Sequence, residues 1–259
     1  MCLISFAYKV HPEYPLILIA NRDEFYNRPA REARFWEEEG YPEILAGKDL
    51  SAGGTWMGVD KSGRWSALTN YRDLSRLKKD PPSRGDLALN FLKQDISGRV
   101  YLNKVRDNAQ EFNDFNLLIS DSHELLHYSN VTDRITVLQP GIHGLSNALM
   151  NTPWPKVEMV KKELGSAVSG NNLNPSHLFE ILADETKAED RQLPETGLPI
   201  ELERAVSPAF ITSNGYGTRC STLLLINRHG EIVFTERVFE PGTGKIAGER
   251  IFEFQAVAV

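Results

Sequence analysis

Apolar residues follow two rhythms along this chain. Short unbroken runs at 2–8 (CLISFAY), 15–20 (PLILIA) and 115–120 (FNLLIS) are bounded by turn residues. Runs of that length predict buried strands. His11, Pro12 and Pro15 supply turn chemistry between the first two, so an opening hairpin is expected, with Asn21 to Glu24 at the end of its second strand. Further strands are expected at 55–60, 64–69, 124–129, 135–138, 141–145, 217–226, 231–236 and 249–256.

The second rhythm is helical. Leu87, Leu89, Phe91 and Leu92 follow a capping Ser83 and predict a helix over 84–94. Val100, Leu102, Val105 and Ala109 predict another over 99–112. Pro153-Trp154-Pro155 opens a third, and Asn174-Pro175 caps a fourth holding Leu178, Phe179, Ile181 and Leu182. Residues 28–50 and 186–207 are polar and irregular and read as surface loops. Gly53-Gly54 precedes no Lys-Ser/Thr and no helix, so these are turn or bulge glycines, not a phosphate loop. The order of strands, helices, strands, helices, strands predicts a layered α+β domain.

Composition narrows the function. The chain has 259 residues, 41% hydrophobic and 25% charged, an ordinary globular balance. A formal charge of −6 leaves no basic footprint for nucleic acid. Two cysteines exclude a disulfide scaffold and suit a reducing compartment, so a cytoplasmic location is expected. No run approaches the ~20 apolar residues of a membrane span. The run from Leu3 to Ala7 is too short for a signal peptide and lacks a basic lead-in.

Two stretches carry candidate chemistry. His123-Glu124-Leu125-Leu126-His127 fits H-E-x-x-H, which binds zinc when both imidazoles share a helical face. Here strand patterns surround it, and on a strand the two histidines stand about 13 Å apart. No metal is expected. The second stretch is the start. Once Met1 is removed, Cys2 carries a thiol and a free α-amine on one residue. An N-terminal nucleophile uses that amine as its own general base.

The pieces MCLI (1–4), ANRDEFYNRP (20–29), GGTWMG (53–58), ALTNYR (67–72), GLSNALMNTPWPK (144–156) and GYGTR (215–219) resemble the NRDE family, also called the transport and Golgi organisation 2 family. The resemblance spans nearly the whole chain and treats 1–259 as a single domain. Eukaryotic members are linked to secretory organisation, lipid metabolism and haem trafficking. A more distant likeness is to N-terminal-nucleophile hydrolases of the choloylglycine hydrolase and penicillin V acylase type, which cleave linear amides. That likeness implies an αββα sandwich. It places the nucleophile on Cys2, an aspartate on Asp23, oxyanion or positioning residues on Asn70 and Asn147, and a late arginine on Arg219. Asn21, Arg22 and Trp56 are expected to contact substrate.

The superfamily's early arginine falls on Ala20, and Arg22 is expected to leave its strand in another direction. Arg219 is expected to lower the Cys2 thiol pKa. Cys220 should face away from Arg219 and be inert. The resemblance implies a hydrolase of a small acyl amide or thioester that needs no metal or organic cofactor. Its alternative is a carrier of lipid, acyl-CoA or haem.

Overall fold

The computed structural model describes residues 2–170 and 173–257. In chain order its elements are β1 (Cys2–Tyr8), β2 (Leu16–Phe25), β3 (Ala30–Trp36), β4 (Tyr41–Asp49), β5 (Met57–Asp60), β6 (Trp65–Asn70), α1 (Gly85–Leu92), α2 (Gly98–Asn108), β7 (Phe115–Ser120), β8 (Leu125–Ser129), β9 (Arg134–Val137), β10 (Gly141–Leu145), α3 (Pro155–Ser169), α4 (Pro175–Leu182), α5 (Ile200–Ala205), β11 (Thr212–Ser213), β12 (Tyr216–Ile226), β13 (Glu231–Phe239) and β14 (Ile246–Gln255). They fall into two compact units, Met1–Asn27 with Pro140–Glu253, and Arg28–Gln139 with Phe254–Val259. The class is α+β. Each unit supplies one antiparallel sheet and one helical layer, the parts a layered αββα arrangement needs.

The first unit's sheet runs β10-β1-β2-β12-β13-β14, with β11 on β12. The opening hairpin is present, in register from Cys2↔Arg22 to Tyr8↔Leu16. β2 runs on through Asn21 to Phe25, so the NRDE residues lie within a strand and not in the turn after it. Leu3, Ala7, Ile17, Ile19, Leu223 and Leu225 pack against Val157, Val160 and Leu164 of α3 and Leu178 of α4. Burying each such aliphatic side chain contributes about 1.5–3 kcal/mol. Side chains alternate across a strand. The odd positions of β1 and β2 therefore face the helices, and Cys2 faces the other way. α3 starts with a proline in its first turn, and Asn174 caps α4 by accepting from Ser176 N. The polar stretch 186–207 holds the short helix α5.

The second unit's sheet is a meander in sequence order, β3 to β9. Leu87 and Phe91 of α1 and Tyr101 and Leu102 of α2 pack onto Leu68, Leu117, Ile119 and Leu126. Residues 28–50 are not a loop. They form the β3–β4 hairpin, with Trp36, Ile44 and Ala46 in the core. Register shifts between Arg31 and Arg34 and between Phe35 and Trp36 break the two-residue alternation that marks a strand.

Gly53 has φ +84° and donates to Asp49 O, as a turn glycine. A Cβ on Gly54 would lie 2.4 Å from the Gly85 carbonyl carbon, so this glycine lets the chain meet the start of α1. The H-E-x-x-H segment is a turn and a strand. His123 N and Glu124 N donate to Asp121 Oδ1, and His127 sits buried in β8 with Nε2 3.1 Å from Asn116 Oδ1. Burial pulls the His127 pKa down to about 4. Among the described residues no helix is long and apolar enough to cross a membrane.

Candidate active site

Cys2 begins β1 and is half-buried. Its cross-strand partner on β2 is Arg22, and Arg22 pairs in turn with Cys220 on β12. Cys220 pairs with Val238 on β13. Directly opposed residues share a sheet face, so Cys2, Arg22, Cys220 and Val238 form one row across four strands. The next row on that face is Ile4, Ala20, Thr222 and Glu236. Ala20 and Arg22 are two apart on one strand and point the same way. The expectation that Arg22 leaves β2 in another direction is thus corrected. A guanidinium stands beside Cys2, one row along from where the superfamily pattern puts it.

The thiol's surroundings act in both directions. Burial pushes the Cys2 pKa up most strongly, the charge of the N-terminal amine and then that of Arg22 oppose this, and the charges of Asp23 and Glu24 add to it. Arg219 donates from Nη1 to Phe25 O at 3.1 Å and to Tyr26 O at 3.3 Å, fastening it to the end of β2. Burial, and then the neighbouring Arg22, hold the Arg219 pKa below its usual value. The guanidinium directly across from Cys2 is Arg22, while Arg219 is held at the end of β2.

A register shift between Thr218 and Cys220 inserts Arg219 as an extra residue in β12. The simple alternation expected to set Arg219 and Cys220 on opposite faces is interrupted there. Cys220 is buried, and burial with the nearby Glu236 carboxylate raises its thiol well above the usual range.

Asp23 is 1% exposed and belongs to the opposite, helical face. Thr218 Oγ1 donates to its Oδ1 at 2.8 Å, and Tyr216 OH donates to its backbone oxygen at 3.0 Å. Burial raises the Asp23 carboxyl pKa, against the charge of Lys156, the Thr218 hydrogen bond and Arg22. Asn21 shares this face. Its Nδ2 donates to Leu182 O and Ala209 O, and its Oδ1 accepts from Ser221 Oγ. Both amide hydrogens and the carbonyl are committed to the fold, on the side of the sheet away from Cys2. The expectation that Asn21 contacts substrate is corrected accordingly.

Asn147 is fully buried, two residues past the Ile4↔Leu145 pair, just as Cys2 is two residues before it. Ser146 Oγ donates to Cys2 O at 3.2 Å, which ties this turn to the start of β1. Cys2, Arg22, Asp23, Asn147 and Arg219 are all in the first unit. Asn70, half-buried at the end of β6, and Trp56, whose ring lies over Gly47, belong to the second. Sequence reasoning missed Lys156, Ser146 and Thr218. Each lies inside a quoted motif, and a lysine in the first turn of an apolar-faced helix was the one readable signal.

A family model described as transport and Golgi organisation 2 matches residues 1–241. The chain belongs to that family. A relative in Mus musculus, the transport and Golgi organization 2 homolog, is 37% identical over 258 residues, covering 92% of each chain. Among solved structures, the chain is similar to the Caenorhabditis elegans ortholog of N-acylethanolamine-hydrolyzing acid amidase, with TM-score 0.42 and 11% identity over 86% of this chain and 92% of that one. It is also similar to a mutant conjugated bile acid hydrolase from Clostridium perfringens, with TM-score 0.47 and 10% identity over 100% and 98%. The transport and Golgi organisation 2 match takes in every site residue named above and ends before β14.

Proposed function

We propose that this chain is an N-terminal-cysteine hydrolase acting on a linear amide or thioester bond of a small acyl compound. The observation that carries the reading is the Cys2–Arg22 cross-strand pair, with Asp23 next along β2 and the Ser146–Asn147 turn bonded to the Cys2 backbone. With Met1 removed, the Cys2 thiol passes its proton to its own α-amine and its sulfur attacks the carbonyl carbon. The amine returns the proton to the leaving nitrogen or sulfur, and water then cleaves the acyl-enzyme. Asp23 orients the amine. Arg22 offsets the cost of a partly buried thiolate. Asn147 donates to the oxyanion, where one such donor contributes ~3–4 kcal/mol. Arg219 shapes the substrate side. Asn70 and Trp56 enter through the family resemblance alone. The proposal takes 1–259 as one functional domain and a cytoplasmic one.

The test is a panel of amides and thioesters with protein of verified N-terminus. Cys2→Ala is expected to lose turnover with its circular dichroism unchanged. Full turnover by the variant overturns the nucleophile. A second reading, a carrier of lipid, acyl-CoA or haem, is favoured by the burial that raises the Cys2 thiol. A flat spectral titration with hemin removes its haem form.

A further inference from the structure

Lys156 lies in the first turn of α3 and is only 4% exposed. Lysine is almost never fully buried without a partner. Its Nζ donates to Val206 O at 2.9 Å. A little further along, Ile211 is held by Thr218 twice. Ile211 N donates to Thr218 Oγ1 at 2.9 Å, and Thr218 N donates to Ile211 O at 2.8 Å. That hydroxyl is the one that donates to Asp23 Oδ1. Between them, Ala209 O accepts from Asn21 Nδ2 at 2.8 Å. One short segment, 206–211, thus ties Lys156, Asn21 and the Asp23–Thr218 pair together on the helical side of the sheet. Such a buried polar cluster stabilises one arrangement only when its members are satisfied together.

The titratable and polar groups acting on Asp23 come from every neighbouring element. They include Lys156 from α3, the chain's N-terminal amine, Arg22 from its own strand, Cys2 from β1, and Tyr216 and Thr218 from β12. After burial itself, the charge of Lys156 has the largest effect on the carboxyl.

We propose that Lys156 is a positioning residue for the Cys2 centre, fixing the Asp23 carboxylate in the ionised form and the orientation that hold the Cys2 α-amine. The proposal rests on the N-terminal-cysteine reading. Lys156 touches neither substrate nor thiol and acts through Asp23 from behind the sheet.

The test follows the Asp23 carboxyl by 13C NMR with aspartate-selective labelling, its resonance assigned by its loss in Asp23→Asn. In Lys156→Gln, which keeps a donor for Val206 O, the titration midpoint is expected to rise by about 1 pH unit, since an opposite charge favours the ionised form. Lys156→Arg is expected to return it. The pH profile of Cys2 alkylation is expected to move with that midpoint. An unmoved midpoint in folded Lys156→Gln and Lys156→Met overturns the proposal. So does a moved midpoint with an unmoved alkylation profile. If both variants fail to fold, Lys156→Arg decides: an alkylation profile displaced from the wild type while the Asp23 midpoint is unmoved overturns the proposal. The carboxyl titration reads Asp23 whether or not Cys2 is a nucleophile. Failure of the nucleophile reading appears separately, as no alkylation of Cys2 in the wild type.

Discussion

Asp23 is held in the fold at a cost, and the sign of that cost is testable. Burial raises its carboxyl pKa above the unfolded value. For an acid whose folded pKa is raised, the native state binds the extra proton. Stability is then unpenalised below the unfolded pKa of ~3.9 and is lost as pH rises through the folded value. Asp23→Asn is therefore expected to be at least as stable as wild type at pH 7, with the advantage vanishing below about pH 4. Urea denaturation at several pH values checks this. The same substitution is expected to reduce turnover by about 10²–10⁴-fold, the range typical for lost proton handling. A variant that gains stability and loses activity is what a strained functional carboxylate gives. A loss of stability at pH 7 that persists at pH 4 would mean that Asp23 serves packing.

At the scale of elements, Arg64 shows how one side chain fixes a helix to its sheet. It stands in the turn between β5 and β6, 9% exposed. Its guanidinium donates to Gln94 O at 2.6 Å, Ile96 O at 3.0 Å and Phe91 O at 3.3 Å, and lies 4.4 Å from the Phe91 ring centroid. These carbonyls close the C-terminal end of α1, where a positive charge is favourable. Arg64→Met is expected to cost about 2–3 kcal/mol by chemical denaturation, in line with hydrogen bonds to a charged group. A change within about 0.5 kcal/mol, the usual range for a plain surface substitution, would sink this account.

The four long helices and the opening hairpin were legible because their apolar residues recur at helical spacing or in bounded runs. The β3–β4 hairpin was not. Its polar side carries the half-buried Arg31, Arg34 and Lys48, which all pair with Glu39 in the turn. Two register shifts then hide the apolar side. The same physics limited the site. Cys2, Asp23 and Asn147 could be placed in order along the chain, but the face each occupies depends on β2–β12 pairing and on a bulge. Neither leaves a mark in a single sequence. Lys156 stayed hidden because the backbone oxygen it bonds, on Val206, and the Asp23 charge it acts on lie far away in the chain.

Taken whole, the molecule holds two cysteines in contrasting states, and this makes its intact mass informative. Cys220 is 4% exposed, and its thiol is raised well above the ordinary range. A buried thiol of that kind is inert. Cys2 is half-buried at the start of β1; burial raises its thiol too, but less far than that of Cys220, and Arg22 acts to favour its thiolate. Native protein lacking Met1 is expected to take one iodoacetamide adduct, faster as pH rises, and a second only after unfolding. Arg22→Gln is expected to slow the first adduct near neutral pH by about tenfold, the effect of losing one nearby opposite charge. It should do so more than Arg219→Gln, because Arg22 stands directly opposite Cys2 while Arg219 is bonded to the end of β2. Equal slowing by the two variants would return the thiolate role to Arg219. A Met1 retained in the native host would leave no free amine on Cys2, and the row of Cys2, Arg22 and Cys220 would then be read as part of a ligand-carrying surface.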